Sequence, residues 1–135
     1  MPLIKLTVDT DKARECVQFS YRIMQSVDYS TGRPATNVAP LELNASFYSM
    51  PDDSFFWTQA RKPTQKVKGK LEIMDSDDIE KVLKTLSFEE GIVTAYSETG
   101  SGTSSEETVE SITIIARISD VNNGSKHEVE WKRGQ

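Results

Sequence analysis

The chain holds one cysteine, Cys16, and one histidine, His127, in 135 residues. A lone cysteine closes no internal disulfide, so the fold must be held by its core, and a reducing compartment suffices. With one Cys and one His, a zinc site would need mainly carboxylate ligands, which structural zinc rarely uses. Nucleophilic catalysis needs a nucleophile beside an oriented base. The one histidine follows an Asn-Asn-Gly turn near the C-terminus, where a partly exposed strand residue is the plainer reading, and no enzyme signal stands out. Long apolar runs are also missing. No stretch approaches transmembrane length, and "MPLIKLTVDT" lacks a basic region followed by an apolar core. Cytoplasmic assembly without a signal peptide or membrane insertion is therefore expected. Positive charge is in deficit: 16 Lys and Arg against 21 Asp and Glu give a net charge of -5. That argues against non-specific binding to nucleic acid or anionic membranes.

Cofactor motifs are equally thin. "GSG" at 100–102 has no following lysine and no apolar helix, so it makes a poor phosphate cradle. "DSDDIE" at 75–80 lacks the ligand spacing and central glycine of a calcium loop. No cofactor or metal site is expected.

What the chain does have is alternation. Ile4, Leu6 and Val8 alternate with polar residues, and so do Val17, Phe19, Tyr21 and Ile23. Leu41, Leu43, Ala45 and Phe47 repeat the pattern. So do Val67, Leu71 and Ile73, and finally Ile112, Ile114, Ala116 and Ile118. Period two puts one strand face on a core and the other toward solvent or a partner. Several such strands in series predict one antiparallel sandwich or barrel domain spanning 1–135.

"MPDDSFFWTQARK" interrupts the strands with a helix pattern. Pro51 and two acids stand at its start and Arg61 and Lys62 at its end, an order that suits the helix dipole. Two to three turns from Pro51 or Asp52 are expected, with Phe56, Gln59 and Ala60 on one side. Lys84–Phe88 and "GIVTAYSE" read as strands that could pair across Glu89-Glu90-Gly91. Residues 28–40 read as an extended loop and 99–107 as a flexible polar loop. Asn123-Gly124 is the strongest hairpin signal and turns the strand ending near Asp120 back toward Val129 and Trp131. "RKPTQKVKGK" is the one basic concentration. Its Lys66, Lys68 and Lys70 would project from one strand face toward an acidic neighbour.

The ordered set Cys16, Ser20-Tyr21, Gln25-Ser26, Asp28 and Gly32-Arg33-Pro34 resembles the N-terminal signature of the TssD family. These are the Hcp-like tube proteins of the type VI secretion system in Bacteroidetes. "LELNASF", "DDSFFW", "GKLEIMDSDD", "KTLSFEEGIVTAYSE" and "SITIIARIS" followed by "NNGSKHEVEW" are similar to the family's later elements, in order.

The resemblance implies a mainly β fold: a small antiparallel β-barrel of two packed sheets with one short α-helix at its side. It further implies a structural subunit, not an enzyme. Six copies would close into a hexameric ring, and rings would stack into an inner tube. Its partners would be its own copies, a VgrG-type spike, contractile sheath proteins and effector proteins, and it would leave the cell through the type VI apparatus. The candidate ring contacts are Gln25, Asp28, Gly32, Arg33 and Pro34 on the elbow, with Lys66, Lys68 and Lys70 on the basic strand. A monomeric β-barrel gripping a small ligand or peptide is the alternative, and a hydrolase using His127 the weakest reading.

Overall fold

A computed structural model describes residues 3–9, 13–23, 25–28, 33–38, 40–49, 54–62, 65–75, 81–100, 108–122 and 124–128. The alternating segments become β1 (Leu3–Val8), β2 (Arg14–Arg22), β5 (Leu41–Tyr48), β6 (Val67–Met74) and β8 (Val109–Val121). Between and after them lie β3 (Gln25–Asp28), β4 (Arg33–Val38), β7 (Val82–Thr99), β9 (Ser125–Glu128) and helix α1 (Phe55–Ala60). The main sheet runs β5-β2-β1-β6-β7-β8-β9, and β5 also pairs with β8. That extra pairing closes six antiparallel strands into a barrel and leaves β9 outside it. The expected small antiparallel barrel with one helix is what the chain forms, its two layers hydrogen-bonded into one continuous sheet. Closure removes the open edges at which sheets pair with other chains.

Alternation places the core. Leu41, Leu43, Ala45 and Phe47 are buried along β5, and Ile112, Ile114 and Ala116 along β8. Leu6 and Val8, Val67 and Leu71, and Leu86, Phe88 and Val93 complete the filling from β1, β6 and β7. Each buried Val, Leu, Ile or Phe among them contributes about 1.5–3 kcal/mol by leaving water. Gly69 lets β6 approach β1, since a Cβ there would stand 2.2 Å from the Thr7 carbonyl oxygen.

Several expectations are corrected. On β2, Val17 was expected inward with Phe19, Tyr21 and Ile23. The register against β5 shifts between Cys16 and Gln18, so the bulge turns Val17 outward while Cys16 and Arg14 are buried. Ile23 lies past the end of the strand and is exposed. No hairpin forms at Glu89-Glu90-Gly91. β7 is one 18-residue strand, paired to β8 without a slip from Leu86↔Val121 to Val93↔Ile114. Glu90 takes a left-handed φ of 52°, and the register against β6 shifts beside it, between Val67 and Gly69. The turn-like residues bend a strand that the long β8 keeps continuous.

The expected 28–40 loop is a strand over most of its length. β3 and β4 pair antiparallel in a two-stranded sheet of their own. The helix is shorter than expected, six residues from Phe55, and its proposed start at 51–53 lies outside the described residues. So do 101–107 of the polar loop, together with Val129 and Trp131. The Asn-Gly hairpin does form, with Val121 opposite Ser125 and Asn122 at φ 56°.

Candidate functional site

The elbow residues are brought together by backbone pairing. Asp28 lies opposite Arg33, Val27 opposite Pro34, and Gln25 opposite Val38. Gly32 lies outside the described residues. Pro34 has no amide hydrogen to donate, which suits a strand of a two-stranded ribbon and not the centre of a sheet. The ribbon joins β2 to β5, yet neither of its strands is part of the barrel sheet.

Lys66, Lys68 and Lys70 lie along or just before β6 and are all exposed. Two of them have carboxylate partners within the chain. Lys66 Nζ donates to Glu90 Oε1 at 2.9 Å, and Lys70 Nζ lies 3.6 Å from Glu72 Oε1. Lys68 is held through its backbone, whose N–H donates to Asp9 Oδ1 at 2.9 Å. Glu90 also accepts from Arg117 Nε at 2.6 Å. Arg117 Nη1 reaches Glu128 Oε2 at 3.7 Å, and Lys126 Nζ lies 3.5 Å from Glu128 Oε1. Lys66, Glu90, Arg117, Glu128 and Lys126 thus alternate in sign from the start of β6 to β9. The hydrogen bond from Lys66, then that from Arg117, holds the Glu90 carboxyl below its ordinary value. Two of the three lysines are therefore matched by carboxylates of the chain itself.

A second polar cluster is buried under α1. Arg14 begins β2 and Glu110 is the second residue of β8, and both point into the barrel, 5% and 1% exposed. The Arg14 guanidinium carbon lies 5.0 Å from the ring centre of Phe47 and 4.8 Å from that of Phe56 on α1. The faces of the two rings are negative and attract the cation. Tyr96 Oη donates to Glu110 Oε1 at 2.7 Å. Burial, then this hydrogen bond, raises the Tyr96 phenol. Farther out, Thr108 Oγ1 donates to Glu98 Oε2 at 2.5 Å and is the main reason the Glu98 carboxyl is lowered. Sequence reading missed this cluster. Its signal was a charged residue at an inward position of an alternating strand: Glu110 in step with Ile112 and Ile114, Arg14 in step with Cys16.

Cys16 and His127 sit on β2 and β9, which are not neighbours in the sheet. Burial pushes the Cys16 thiol up to about 11, so it is a poor nucleophile. Among the described residues, no three His, Cys, Asp or Glu side chains are grouped to hold a metal ion. No helix among them is long and apolar enough to cross a membrane.

The model of one family, hemolysin coregulated protein Hcp (TssD), matches residues 3–132. The chain belongs to this family. Hcp (TssD) proteins are tube-forming structural proteins of secretion systems. Among solved structures, Hcp1 from Flavobacterium johnsoniae superposes with a TM-score of 0.75 at 22% identity, over 94% of this chain and 99% of that one. Hcp1 from Salmonella typhimurium gives 0.68 at 13% identity, over 90% and 86%. The sheath/tube terminator of an extracellular contractile injection system, PVC, gives 0.63 at 14% identity, over 88% and 92%. At these identities the likeness is one of fold. No curated protein sequence matches the chain.

Proposed function

We propose that this chain is a subunit of the type VI secretion inner tube. Six copies close into a ring, rings stack, and effector proteins travel with the tube. The observation that carries the reading is the family match over 3–132 on a closed barrel that bears a separate ribbon, β3–β4. A ring needs a heterologous interface, one patch meeting a different patch on the next copy. A stiff barrel with a projecting ribbon supplies two unlike surfaces. The partners in this reading are further copies of the chain, a VgrG-type spike, contractile sheath proteins and effectors. Assembly takes place in the cytoplasm in this reading, followed by export through the apparatus.

A monomeric ligand-binding barrel is disfavoured, because large side chains from both sides fill the interior. Phe47, Phe88, Leu43, Leu71 and Ile114 are essentially without solvent exposure. Small barrels filled in this way have no room for a ligand.

The test is direct. Purified protein, imaged in negative stain and weighed by light scattering, is expected to form rings with a central hole. Monodisperse monomers at every protein and salt concentration would sink the proposal. Each copy carries a net charge of -5, so copies repel at long range. Ring stacking is therefore expected to strengthen as added salt shortens the Debye length.

A further inference from the structure

Helix α1 is weakly held. It has no place in either sheet, so it adds no strand pairing to the barrel. It has six residues, its N-cap Ser54 makes no side-chain cap hydrogen bond, and it carries no acid in its first turn and no base in its last. A helix this short is marginal by itself, and neither a cap nor a dipole partner supplies what is missing. One fully buried side chain, Phe56, docks it. Phe55 and Ala60 are only partly buried against the core. Trp57 stays exposed, with the Arg61 guanidinium carbon 4.7 Å from its ring centre.

The seat beneath Phe56 is not an ordinary core. The Phe56 ring meets the Phe47 ring at 5.2 Å between centres, and both rings flank the Arg14 guanidinium. Glu110 Oε2 lies 3.9 Å from Arg14 Nη1, close enough for attraction between charges but too far for a hydrogen bond. That oxygen is buried with no hydrogen-bond partner, and so is Gln59 Oε1. Gln59 follows Phe56 by three residues and so shares its face of the helix. A buried acceptor without a donor works against the docked state, because water would satisfy it. Docking of α1 therefore sets the burial of one phenylalanine and its contact with a cation against two dehydrated oxygens. No such opposition acts at Leu43 and Ile114, which are apolar, fully buried and paired across β5 and β8.

We propose that α1 is a cover over the Arg14–Glu110 pair that opens by itself while the barrel stays closed. Opening lifts Phe56 from Arg14 and Phe47 and lets water reach Glu110 Oε2 and Gln59 Oε1. Every strand pairing survives, since α1 contributes none. Local opening of this kind belongs to segments with few buried contacts. The subunit thus presents one surface in two states: closed, with the Phe56 ring seated, and open, with the Arg14 cation and the Phe47 ring in reach of solvent. The device is built into the single chain and does not depend on a ring.

Hydrogen exchange of the unmodified protein, followed by NMR at increasing urea, tests the proposal. The Thr58 amide, which donates to the Ser54 carbonyl at 2.9 Å, and those of Gln59 and Ala60 are expected to exchange at least about a hundredfold faster than those of Leu43 and Ile114. Low urea is expected to leave the fast rates unchanged, because a local opening exposes little new surface. The Arg14 Nε–H is expected to exchange together with α1 and not with β5, which ties the opening to the seat under the helix. Gln59→Leu removes one dehydrated oxygen and is expected to slow exchange in α1 by roughly fivefold. Amides of α1 that exchange only along the global unfolding curve overturn the proposal. Fast α1 amides with an Arg14 Nε–H that follows the barrel overturn it too, because the backbone then frays while Phe56 stays seated. Exchange in Gln59→Leu as fast as in the parent overturns the role given to the dehydrated oxygens.

Discussion

Arg14 and Glu110, 96 positions apart in the chain, end with Nη1 and Oε2 3.9 Å apart inside the barrel, both nearly without solvent exposure. A buried charge is tolerated when it is paired and hydrogen-bonded, and removing one partner leaves the other uncompensated. Arg14→Met is expected to cost about 3–5 kcal/mol in urea unfolding. Arg14→Met with Glu110→Gln removes both charges and is expected to recover a good part of that loss. A double variant no more stable than Arg14→Met would mean that the cation is held mainly by the Phe47 and Phe56 rings.

Two glycines make a matched pair for a packing test. A Cβ on Gly69 would stand 2.2 Å from the Thr7 carbonyl oxygen and 3.0 Å from the Phe88 ring. On Gly124 the nearest atom would be 3.9 Å away. Gly69→Ala is expected to destabilise by about 2 kcal/mol or more, since backbone cannot yield as a side chain can. Gly124→Ala is expected to stay within about 0.5 kcal/mol of the parent. Thermal midpoints followed by circular dichroism compare the two.

These residues show what the sequence carried and what it did not. Strands β1, β5, β6 and β8 were legible because alternation is imposed by the pleat itself and survives any topology. The closing pair β5–β8 was not, because it joins residues such as Leu43 and Ile114 that no local pattern links. The bulge at Val17 and the bend at Glu90 were misread for a related reason. Each looks locally like ordinary strand or turn, and only the partner strand decides which it becomes. For the site, the elbow and the lysines were found as residues, but the carboxylate that matches Lys66 comes from β7 and is set there by register, whereas Glu72, beside Lys70, stands two positions along the same strand.

Acid provides a further test. Glu90 and Glu98 both have folded-state values below the ordinary 4.5 of glutamate. A carboxylate lowered on folding adds stability above its unfolded value and loses it as pH falls through the folded one. Stability is therefore expected to be flat near neutrality and to fall progressively below about pH 4.5. Glu90→Gln, which keeps a hydrogen-bond acceptor but no charge, is expected to flatten the fall. Urea midpoints measured across that window decide it, and an unchanged slope would show that the Lys66 and Arg117 contacts do not distinguish the two protonation states.

Cys16 gives a direct readout of opening. It is 8% exposed and its thiol is pushed up to about 11 by burial, so little thiolate forms at neutral pH. A thiol reagent is expected to react only when β2 leaves the barrel. Labelling should therefore follow the global unfolding curve in urea. Rapid labelling of native protein would mean that the bulge at Val17 lets this stretch of β2 open by itself.

The ribbon allows assembly to be separated from folding. Among the described residues, β3 and β4 pair as strands with each other and not with the barrel sheet, and Arg33 lies opposite Asp28 within that pair. A change at Arg33 therefore leaves every barrel strand pairing intact. Arginine offers a forked donor that fits a carboxylate, and each copy is acidic. Arg33→Glu is expected to leave the urea midpoint within about 0.5 kcal/mol of the parent while reducing the fraction of protein in rings or stacks. Size-exclusion chromatography with light scattering reads the second effect and circular dichroism the first. Unchanged assembly with an unchanged fold would make Arg33 an exposed ribbon residue and move the search for the contact to the apolar edge at Val17 and Tyr48. A parallel loss of fold and assembly would mean that the ribbon braces the barrel, contrary to its separate pairing.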